Sequence, residues 1–281
     1  MRVNYINFNG KLTPVSKPIL QGDNRAFRYG DGIFETMLWK KGQIRLLHEH
    51  VERLQAGMKT LKLEGVEHFG PSELAQLSVE LLTKNEIDDK ICRLRLQVYR
   101  SGSGLYSPIS NQPEFILQAS PLEGLTNEAT QHSGLTIDVY REHFKPYSGL
   151  SALKSINSLL FVLAGLYRKQ QGLDEVIILN QDGLICETIS SNIFVSYRQQ
   201  IYTPALSEGC VAGTMRKTVL ELAKKEGIEI TEAKIDPQIL EEADEVFLTN
   251  AIRGVQWVMG YRNKRYFNQW SKRFQAMIHR L

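Results

Sequence analysis

Short strand-like runs joined by glycine-containing turns are the feature of this sequence that most restricts its fold. Asn9-Gly10 closes a first apolar run, and Lys41-Gly42 and Asp182-Gly183 each lie at the turn of a hairpin, because such dipeptides favour tight turns. Apolar and polar residues alternate from Ile91 to Tyr99, which predicts a half-buried strand. Apolar residues recur every three or four positions from Leu47 to Leu61, which predicts an amphipathic helix. Because both periods occur in one chain, the sequence predicts an α+β fold with mixed sheets.

The same patterns predict the other elements. We expect further strands over Asn4–Phe8, Gly32–Trp39, Ile44–Leu46, Glu114–Ala119, Leu135–Tyr140, Asn192–Ser196, Gln200–Thr203, Ile228–Glu232 and Val246–Thr249. We expect further helices over Glu73–Asn85 with Ser72 as cap, Ile156–Gln171, Met215–Glu226, Pro237–Glu242 with Asp236 as cap, and the C-terminus. The basic stretch Tyr261–Phe274 is interpreted as a hairpin turn followed by a solvated helix face.

Length and periodicity predict two domains. A chain of 281 residues is long enough for two separate cores. The periodicity lapses over residues 121–133, PLEGLTNEATQHS. We therefore expect a small N-terminal α/β domain over residues 1–120, a linker over 121–133 and a larger C-terminal domain over 134–281.

Charge and composition exclude several classes of partner. Lysine and arginine number 34 against 31 acidic residues, and this small excess is spread along the chain, which argues against a nucleic-acid partner. No apolar run is long enough for a membrane helix, and the start of the chain lacks a signal peptide, so we expect a cytoplasmic protein. The three cysteines are widely spaced and form no CxxC pair, so we expect neither a disulfide framework nor a metal site.

One lysine stands in an apolar stretch. Leu150–Ala164 reads LSALKSINSLLFVLA, with Lys154 as its only charged residue. A lysine held against apolar walls loses hydration, and its neutral amine becomes a nucleophile. Alternatively, Lys154 lies on the wet side of a strand or helix start.

Three other positions could serve a phosphorylated aromatic cofactor. Gly213 and Thr214 open a predicted helix, whose N–H groups could hold a phosphate, although Thr214 could simply cap the helix. Glu187 ends a strand and, if buried, would need a cationic partner such as a protonated pyridine nitrogen. Arg53 flanks the apolar stripe of its helix and could either snorkel or point its fork at a phosphate. With Lys154 for a Schiff base, these are the groups that a pyridoxal phosphate enzyme needs.

Five ordered blocks carry a family resemblance. They are FRYGDGIFET (Phe27–Thr36), HVERL (His50–Leu54), KSIN (Lys154–Asn157), the long motif Glu187–Arg216 and FLTNAIRGVQWV (Phe247–Val258). In these blocks the sequence resembles the class IV aminotransferase family, the fold-type IV pyridoxal phosphate enzymes, over about Phe8–Val258.

The resemblance implies a role for each matching residue. Lys154 would be the catalytic Schiff base lysine, and Glu187 would pair with the pyridine nitrogen of pyridoxal 5'-phosphate (PLP). Arg53 would bind the phosphate, together with Gly213, Thr214, Met215, Thr249, Asn250 and Ala251. The substrate side would be lined by Tyr29, Glu35, Thr36, Arg100 and Tyr106. The resemblance also implies a small-molecule amine substrate and a homodimer, with the site between a small N-terminal domain and a larger cofactor-binding C-terminal domain.

Loop residues bear on which branch of the family the chain resembles. Branched-chain aminotransferases typically carry a tyrosine where this chain has Ser158 and Leu159, and FEG where it reads FETM. D-amino-acid aminotransferases carry an Arg-x-His pair where this chain reads RSGSGLYSPIS. The segments RSGSG, CVAGTMR and TNAIRG look most like 4-amino-4-deoxychorismate lyases, although Leu105 stands where some lyases have an arginine. The resemblance therefore favours the lyase, with an amino-acid aminotransferase or a non-catalytic PLP-binding protein as alternatives.

Overall fold

A computed structural model describes residues 4–123 and 134–280. Contacts divide these residues into two compact units. The first unit holds the described residues up to 123 together with Leu153–Asn157, and the second holds residues 134–152 and those from Ser158 onward. The segment that carries Lys154 therefore packs with the first unit, although the sequence pattern had assigned it to the C-terminal domain. Of the predicted linker, Pro121 ends a strand, and residues 124–133 lie outside the described residues.

The first unit is built on an antiparallel sheet covered by helices. Its helices are α1 (Arg25–Tyr29), α2 (Leu47–Thr60) and α3 (Pro71–Lys84), with a 3-10 turn at Val66–His68. Its strands are β1 (Tyr5–Phe8), β2 (Lys11–Pro14), β3 (Gly32–Lys40), β4 (Gln43–Ile44), β5 (Cys92–Arg100) and β6 (Pro113–Pro121). The strand order is β2-β1-β6-β5-β3-β4, and every pair is antiparallel.

The core of this unit follows the predicted periodicities. Leu94 and Leu96 of β5 are buried, whereas the intervening Arg95 stays partly exposed. On α2, Leu54 and Met58 are buried in the same cluster as the apolar face of β5. Alternation in the strand and four-residue spacing in the helix thus supply the two faces of one core.

The second unit contains a sheet with both parallel and antiparallel pairs. Its helices are α4 (Leu159–Gln170), α5 (Thr214–Lys225), α6 (Ile239–Glu242) and α7 (Gln269–Ile278), with a 3-10 turn at Leu206–Glu208. Its strands are β7 (Leu135–Lys145), β8 (Glu175–Asn180), β9 (Ile185–Thr188), β10 (Asn192–Tyr197), β11 (Gln200–Pro204), β12 (Ile230–Ala233), β13 (Glu245–Asn250), β14 (Gly254–Tyr261) and β15 (Lys264–Arg265). Their order is β12-β11-β10-β13-β14-β7-β8-β9, with β15 on β14, and the parallel pairs are β7–β8, β7–β14 and β11–β12. The predicted α+β class with mixed pairing is confirmed.

Three helix starts differ from the sequence-based prediction. Gly70, not Ser72, is the N-cap of α3, because Pro71 occupies the first helical position, where its missing N–H costs nothing. Helix α6 begins at Ile239, and Asp236 instead accepts a hydrogen bond from the Gln238 N–H at 2.8 Å. Helix α4 begins at Leu159, three residues later than predicted, because the preceding backbone pairs with β3.

Strand β7 is longer than its sequence pattern predicts. The alternation ends near Tyr140, but the strand continues to Lys145 through a register shift against β8. The shift pairs Lys145 with Asn180. A bulge of this kind re-aims the side chains that follow it.

Candidate active site

The Lys154 segment is held to strand β3 by its backbone. The Phe34 N–H donates to the Lys154 carbonyl at 2.8 Å, and the Ile156 N–H donates to the Gly32 carbonyl at 3.1 Å. Ser155 lies opposite Ile33 as in an antiparallel ladder. Pairing of this kind requires an extended backbone around Ser155, which is incompatible with helical dihedral angles and explains the late start of α4.

The Lys154 amine lies against an aromatic face. Its Nζ is 4.3 Å from the centre of the Phe34 ring, and the side chain is partly buried. The guanidinium of Arg95, on the neighbouring strand β5, is 4.0 Å from the centre of the same ring. Contact with an aromatic face replaces part of the water shell around an ammonium group. The Lys154 amine is therefore partly desolvated, and it shares the Phe34 ring with the guanidinium of Arg95.

Glu35 is held by two partners on α2. The Arg53 Nε donates to Glu35 Oε1 at 2.8 Å and Nη2 donates to Oε2 at 2.5 Å, while the His50 Nδ1 contacts Oε2 at 2.6 Å. Burial alone would raise the pKa of Glu35, but the charge of Arg53 and the hydrogen bonds from His50 and Arg53 outweigh burial and lower the pKa to about 2. Strand alternation puts Thr36 on the opposite face of β3 from Glu35. Glu35 is thus a carboxylate that stays ionised near neutral pH and whose two oxygens both contact side chains of α2.

Arg100, predicted on the substrate side, is bound within the first unit. Its Nε donates to Asp31 Oδ2 at 2.9 Å, its Nη1 to Asn111 Oδ1 at 2.6 Å and its Nη2 to the Leu61 carbonyl at 2.5 Å. The Arg25 Nε donates to the same Asp31 oxygen at 2.8 Å. A substrate carboxylate would have to share the Arg100 guanidinium with these acceptors. The role of Arg100 on the substrate side therefore stays a prediction. Asp31 was missed because its partner Arg100 lies 69 residues away, and a pair so far apart in sequence leaves no periodic signal.

The loop after β5 brings the two predicted tyrosines together. The rings of Tyr29 and Tyr106 are 5.6 Å apart and tilted by 47°, and Tyr106 is 90% exposed. Gly102 and Gly104 adopt positive φ angles of 75° and 107°, and a Cβ on Gly104 would come 2.7 Å from the Ser107 carbonyl oxygen. The loop conformation therefore favours glycine at positions 102 and 104 of the RSGSG sequence.

In the second unit, Glu187 has the cationic partner that burial demands. It is 4% exposed on β9, its Oε1 accepts from the Lys145 Nζ at 2.5 Å, and its Oε2 accepts from the Val211 N–H at 3.1 Å. Lys145 was missed because the sequence pattern ended β7 near Tyr140 and left Lys145 in a loop. The pair brings one end of β7 next to the Glu187–Arg216 motif.

The start of α5 offers backbone donors to a ligand. Gly213 is the N-cap and has no side-chain cap hydrogen bond, so the interpretation of Thr214 as the cap is wrong, and Thr214 is instead the first helical residue. A Cβ on Gly213 would lie 1.9 Å from Asn192 Oδ1, which leaves room only for glycine. Thr214 and Met215 are buried in the first turn. Free N–H groups and the helix dipole make such a terminus suitable for a phosphate.

The end of β13 lies beside this helix start. Thr249 pairs with Asn192 across β10 and β13, and Asn192 in turn donates to the Val211 carbonyl at 2.8 Å. Thr249 is 1% exposed, and its hydroxyl has no hydrogen-bond partner within residues 4–123 and 134–280. Asn250 Oδ1 accepts from the N–H groups of Ile252 and Arg253, which closes a turn that contains Ala251.

These observations test whether the second unit fits PLP. Glu187, Val211, Asn192, Gly213 and Thr249 are linked by hydrogen bonds, close contact or strand pairing, as described above. The group offers an anion for a protonated ring nitrogen, an uncapped helix start for a phosphate, and a buried hydroxyl still able to bond. A side chain at Gly213 would collide with the Asn192 side chain. The residues present therefore fit the cofactor that the sequence resemblance implies.

Other kinds of site lack support in the described part of the chain. Among residues 4–123 and 134–280, no three histidine, cysteine or acidic side chains come together in a way that would suit a metal ion. Within the same ranges, none of the helices combines the length and apolarity needed to cross a bilayer. The three cysteines are buried and free.

Comparison with known proteins identifies the family. The model for class IV amino-transferases matches residues 32–260. The chain is 31% identical over 256 residues to an aminodeoxychorismate lyase of Bacillus subtilis, which covers 88% of this chain and 83% of that protein. It is 30% identical over 245 residues to a putative branched-chain-amino-acid aminotransferase of Methanocaldococcus jannaschii, with coverage of 87% and 83%. The crystal structure of 4-amino-4-deoxychorismate lyase from Pseudomonas aeruginosa aligns with a TM-score of 0.83 at 27% identity and covers 98% of each chain. The chain therefore belongs to the class IV aminotransferase family and is a PLP-dependent enzyme.

Proposed function

We propose that this enzyme is a 4-amino-4-deoxychorismate lyase, which releases pyruvate and forms 4-aminobenzoate. The loop after β5 carries this proposal. Its RSGSG sequence resembles the lyases, and the positive φ angles of Gly102 and Gly104 tie that sequence to the loop conformation. The histidine of the D-amino-acid aminotransferase pair is missing from this segment, and the two nearby arginines, Arg25 and Arg100, are both bound to Asp31.

The residues of the chain divide the chemistry among them. When bound, PLP supplies an aldehyde that captures the substrate amine and a ring that accepts electrons from the adjacent carbon. Lys154 would hold the aldehyde of PLP, and as a free amine it would remove the proton from the amine-bearing carbon of the substrate. Glu187 would keep the proton on the ring nitrogen. The α5 start and the Thr249 hydroxyl would bind the phosphate, with Arg53 as a further predicted contact.

The proposed lyase reaction balances without any reactant other than the substrate. The proton that Lys154 removes is delivered to the methylene carbon of the enolpyruvyl group. The ether C–O bond then breaks, pyruvate leaves, and the six-membered ring becomes aromatic. An aminotransferase would instead return the proton to the cofactor and release a keto acid. The two reactions therefore differ in where Lys154 delivers one proton.

An amino-acid aminotransferase that transfers the amino group to 2-oxoglutarate is the second candidate. The 30% identity to a putative branched-chain aminotransferase favours it. Against the branched-chain type, Leu159 stands near the position of the expected tyrosine, is the first residue of α4 and is 73% exposed. A non-catalytic PLP-binding protein is the third candidate, but it would not need to keep Lys154, Glu187 and Arg53 together.

We also propose the homodimer and the cytoplasmic location that the resemblance and the sequence imply. Helix α4 supports the dimer, because Leu159, Val162 and Leu166 are 73%, 55% and 61% exposed at helical spacing. An exposed apolar stripe of this kind is typical of a protein contact. Light scattering on the wild type and on Leu166→Glu should give a dimer and a dissociated chain, respectively. A wild-type monomer would contradict the proposal.

A paired assay on PLP-loaded protein tests the proposed function. One arm supplies 4-amino-4-deoxychorismate and measures pyruvate and 4-aminobenzoate. The other supplies L- and D-amino acids with 2-oxoglutarate and measures glutamate. We expect both products in the first arm. Glutamate alone would establish the aminotransferase, and silence in both arms with an intact visible PLP band would favour the binding protein.

A further inference from the structure

We infer that Lys145 is a positioning residue for Glu187: its ammonium group fixes the carboxylate and balances its charge before and after PLP binds. The inference rests on the proposed function in one respect, that Glu187 contacts the ring nitrogen of PLP. Lys145 itself belongs to none of the five blocks that carry the family resemblance, and only the structure brings it to the site.

The Lys145 side chain is fixed by partners from three segments. It is 8% exposed at the end of β7, and its Nζ donates to Glu187 Oε1 at 2.5 Å and to the Ser151 carbonyl at 3.2 Å. The same Nζ is 5.6 Å from the centre of the Phe161 ring on α4. These contacts leave the ammonium little freedom, so it can define the orientation of the carboxylate.

Glu187 keeps capacity for another donor. A carboxylate can accept about four hydrogen bonds. Two are described: Lys145 binds Oε1 and the Val211 N–H binds Oε2 at 3.1 Å. With both oxygens already oriented, the remaining lone pairs are available to a protonated ring nitrogen without a rearrangement of the side chain.

Charge balance explains why a lysine stands there. An ionised carboxylate at 4% exposure is costly without a counter-ion, and the loss of one partner of a buried pair is more harmful than the loss of both. The ring nitrogen can balance Glu187 only while PLP is bound. Lys145 is paired with it in the cofactor-free protein as well.

The other titratable groups described near Glu187 are neutral or already paired, so Lys145 provides the charge that balances Glu187. Burial raises the pKa of both Cys186 and Cys210, so the two thiols that interact with Glu187 stay neutral near pH 7. Glu208 accepts from Asn180, and Arg216 is paired with Glu232. Removal of the Lys145 charge would make the surroundings of the ring nitrogen more negative, and the ring nitrogen would then hold its proton to higher pH.

Three substitutions separate charge from hydrogen bonding. Lys145→Met keeps the bulk and removes both, Lys145→Gln keeps a donor without the charge, and Lys145→Arg keeps the charge. Lys224→Met, at an exposed position on α5, is the control. For each purified protein we would measure the dissociation constant of PLP, the melting temperature without PLP, and the pH midpoint of the visible absorption change of bound PLP.

We expect Lys145→Met to weaken PLP binding by roughly tenfold, since partners that orient a ligating group typically have effects of that size. The pH midpoint of the band should rise in Lys145→Met and Lys145→Gln and stay near the wild-type value in Lys145→Arg and Lys224→Met. The melting temperature of the cofactor-free Lys145→Met protein should fall. Lys145→Met with Glu187→Gln should recover it, because both charges are then gone.

The outcomes separate this inference from the proposed function. A Lys145→Met protein with wild-type affinity and pH midpoint would overturn the inference, whatever the lyase assay gives. If Lys145→Met does not fold, failure of the double variant to recover folding would overturn it as well. A wild-type protein with a visible PLP band but no pyruvate release would overturn only the lyase proposal, because the band still reports on the Lys145 variants.

Discussion

Two buried carboxylates, one in each unit, are held in contrasting ways. Glu35 receives three contacts from Arg53 and His50, which engage both of its oxygens and lower its pKa to about 2. Glu187 receives one contact from Lys145 and one from a backbone N–H. Glu35 is therefore suited to hold α2 on β3, whereas Glu187 keeps lone pairs for a ligand. The comparison teaches that a buried acid is a better candidate for chemistry when its own protein leaves it partly unsatisfied.

Lys154→Ala removes the proposed Schiff base amine and leaves both carboxylates in place. We expect it to have the largest effect of the substitutions proposed here. Turnover and the visible PLP band should both be lost, because no amine remains to bind the aldehyde or to move the proton. Absorption spectra and the paired assay would measure this, with the exposed Lys90→Ala as control. A surviving band would mean that another lysine binds the cofactor.

Glu187→Gln tests the carboxylate that is left partly unsatisfied. We expect PLP to stay bound while kcat falls by about 10²–10³-fold, because a neutral amide stabilises the developing charge poorly. Single-turnover kinetics on the PLP-loaded protein would measure the step directly. Wild-type turnover would show that Glu187 does not govern the ring proton, and the contrast with Glu35 would fail.

Arg53→Ala tests the saturated carboxylate. It would leave Glu35 buried with His50 alone, and we expect the free energy of unfolding to drop by about 3 kcal/mol. Urea unfolding would measure this, with Lys59→Ala, exposed on the same helix, as control. The phosphate role predicted for Arg53 requires weaker PLP binding in addition. An unchanged PLP affinity would restrict Arg53 to its structural role.

Acid should reveal the stabilisation that Glu35 provides. Its folded-state pKa of about 2 lies below its ordinary value of 4.5, so this stabilisation is complete above about pH 4.5 and is lost as the pH falls toward 2. The shift corresponds to a contribution on the order of 3 kcal/mol. Urea unfolding at pH 6 and pH 3 should show a smaller acid loss for Glu35→Gln than for the wild type. Equal losses would mean that other carboxylates account for the acid sensitivity.

A pair of threonines gives the smallest and most selective test. Thr203 is buried with its hydroxyl bonded to the Ile193 carbonyl at 2.8 Å, whereas no partner for the buried Thr249 hydroxyl is described. Thr203→Val should cost about 1 kcal/mol of folding stability, whereas Thr249→Val should cost almost none and weaken PLP binding several-fold. If Thr249→Val bound PLP like the wild type, the proposed contact of Thr249 with the phosphate would be wrong.

Much of the fold was predictable because it follows local rules. The periods over Leu47–Leu61 and Ile91–Tyr99 correspond to helix α2 and strand β5 within one residue at each end. The hairpin at Asp182-Gly183 and the C-terminal helix, which begins within the basic stretch Tyr261–Phe274, are also confirmed. These features depend on neighbours in sequence, and burial then reinforces them.

Candidate site residues could be named from the sequence, and their roles stay predictions, but their partners in the structure could not be named. Motifs identify Glu187 and Arg53, but nothing local shows that Lys145 reaches Glu187, because a register shift in β7 brings it there. Likewise, Asp31 binds Arg100 across 69 residues. Partner choice of this kind is decided by tertiary packing, which a single sequence does not display.

The backbone pairing of the Lys154 segment with β3 limits which sequence changes this segment can tolerate. The backbone position of Lys154, the proposed Schiff base residue, is set by main-chain hydrogen bonds at Phe34 and Ile156, which do not depend on the identity of neighbouring side chains. Ala152 and Ser155 can therefore be substituted while Lys154 keeps its position. A lysine displaced by a single position would face the opposite side of the ladder. Substitutions of the residues around Lys154 are compatible with this pairing, but an insertion or deletion of one residue there would abolish the activity proposed for Lys154.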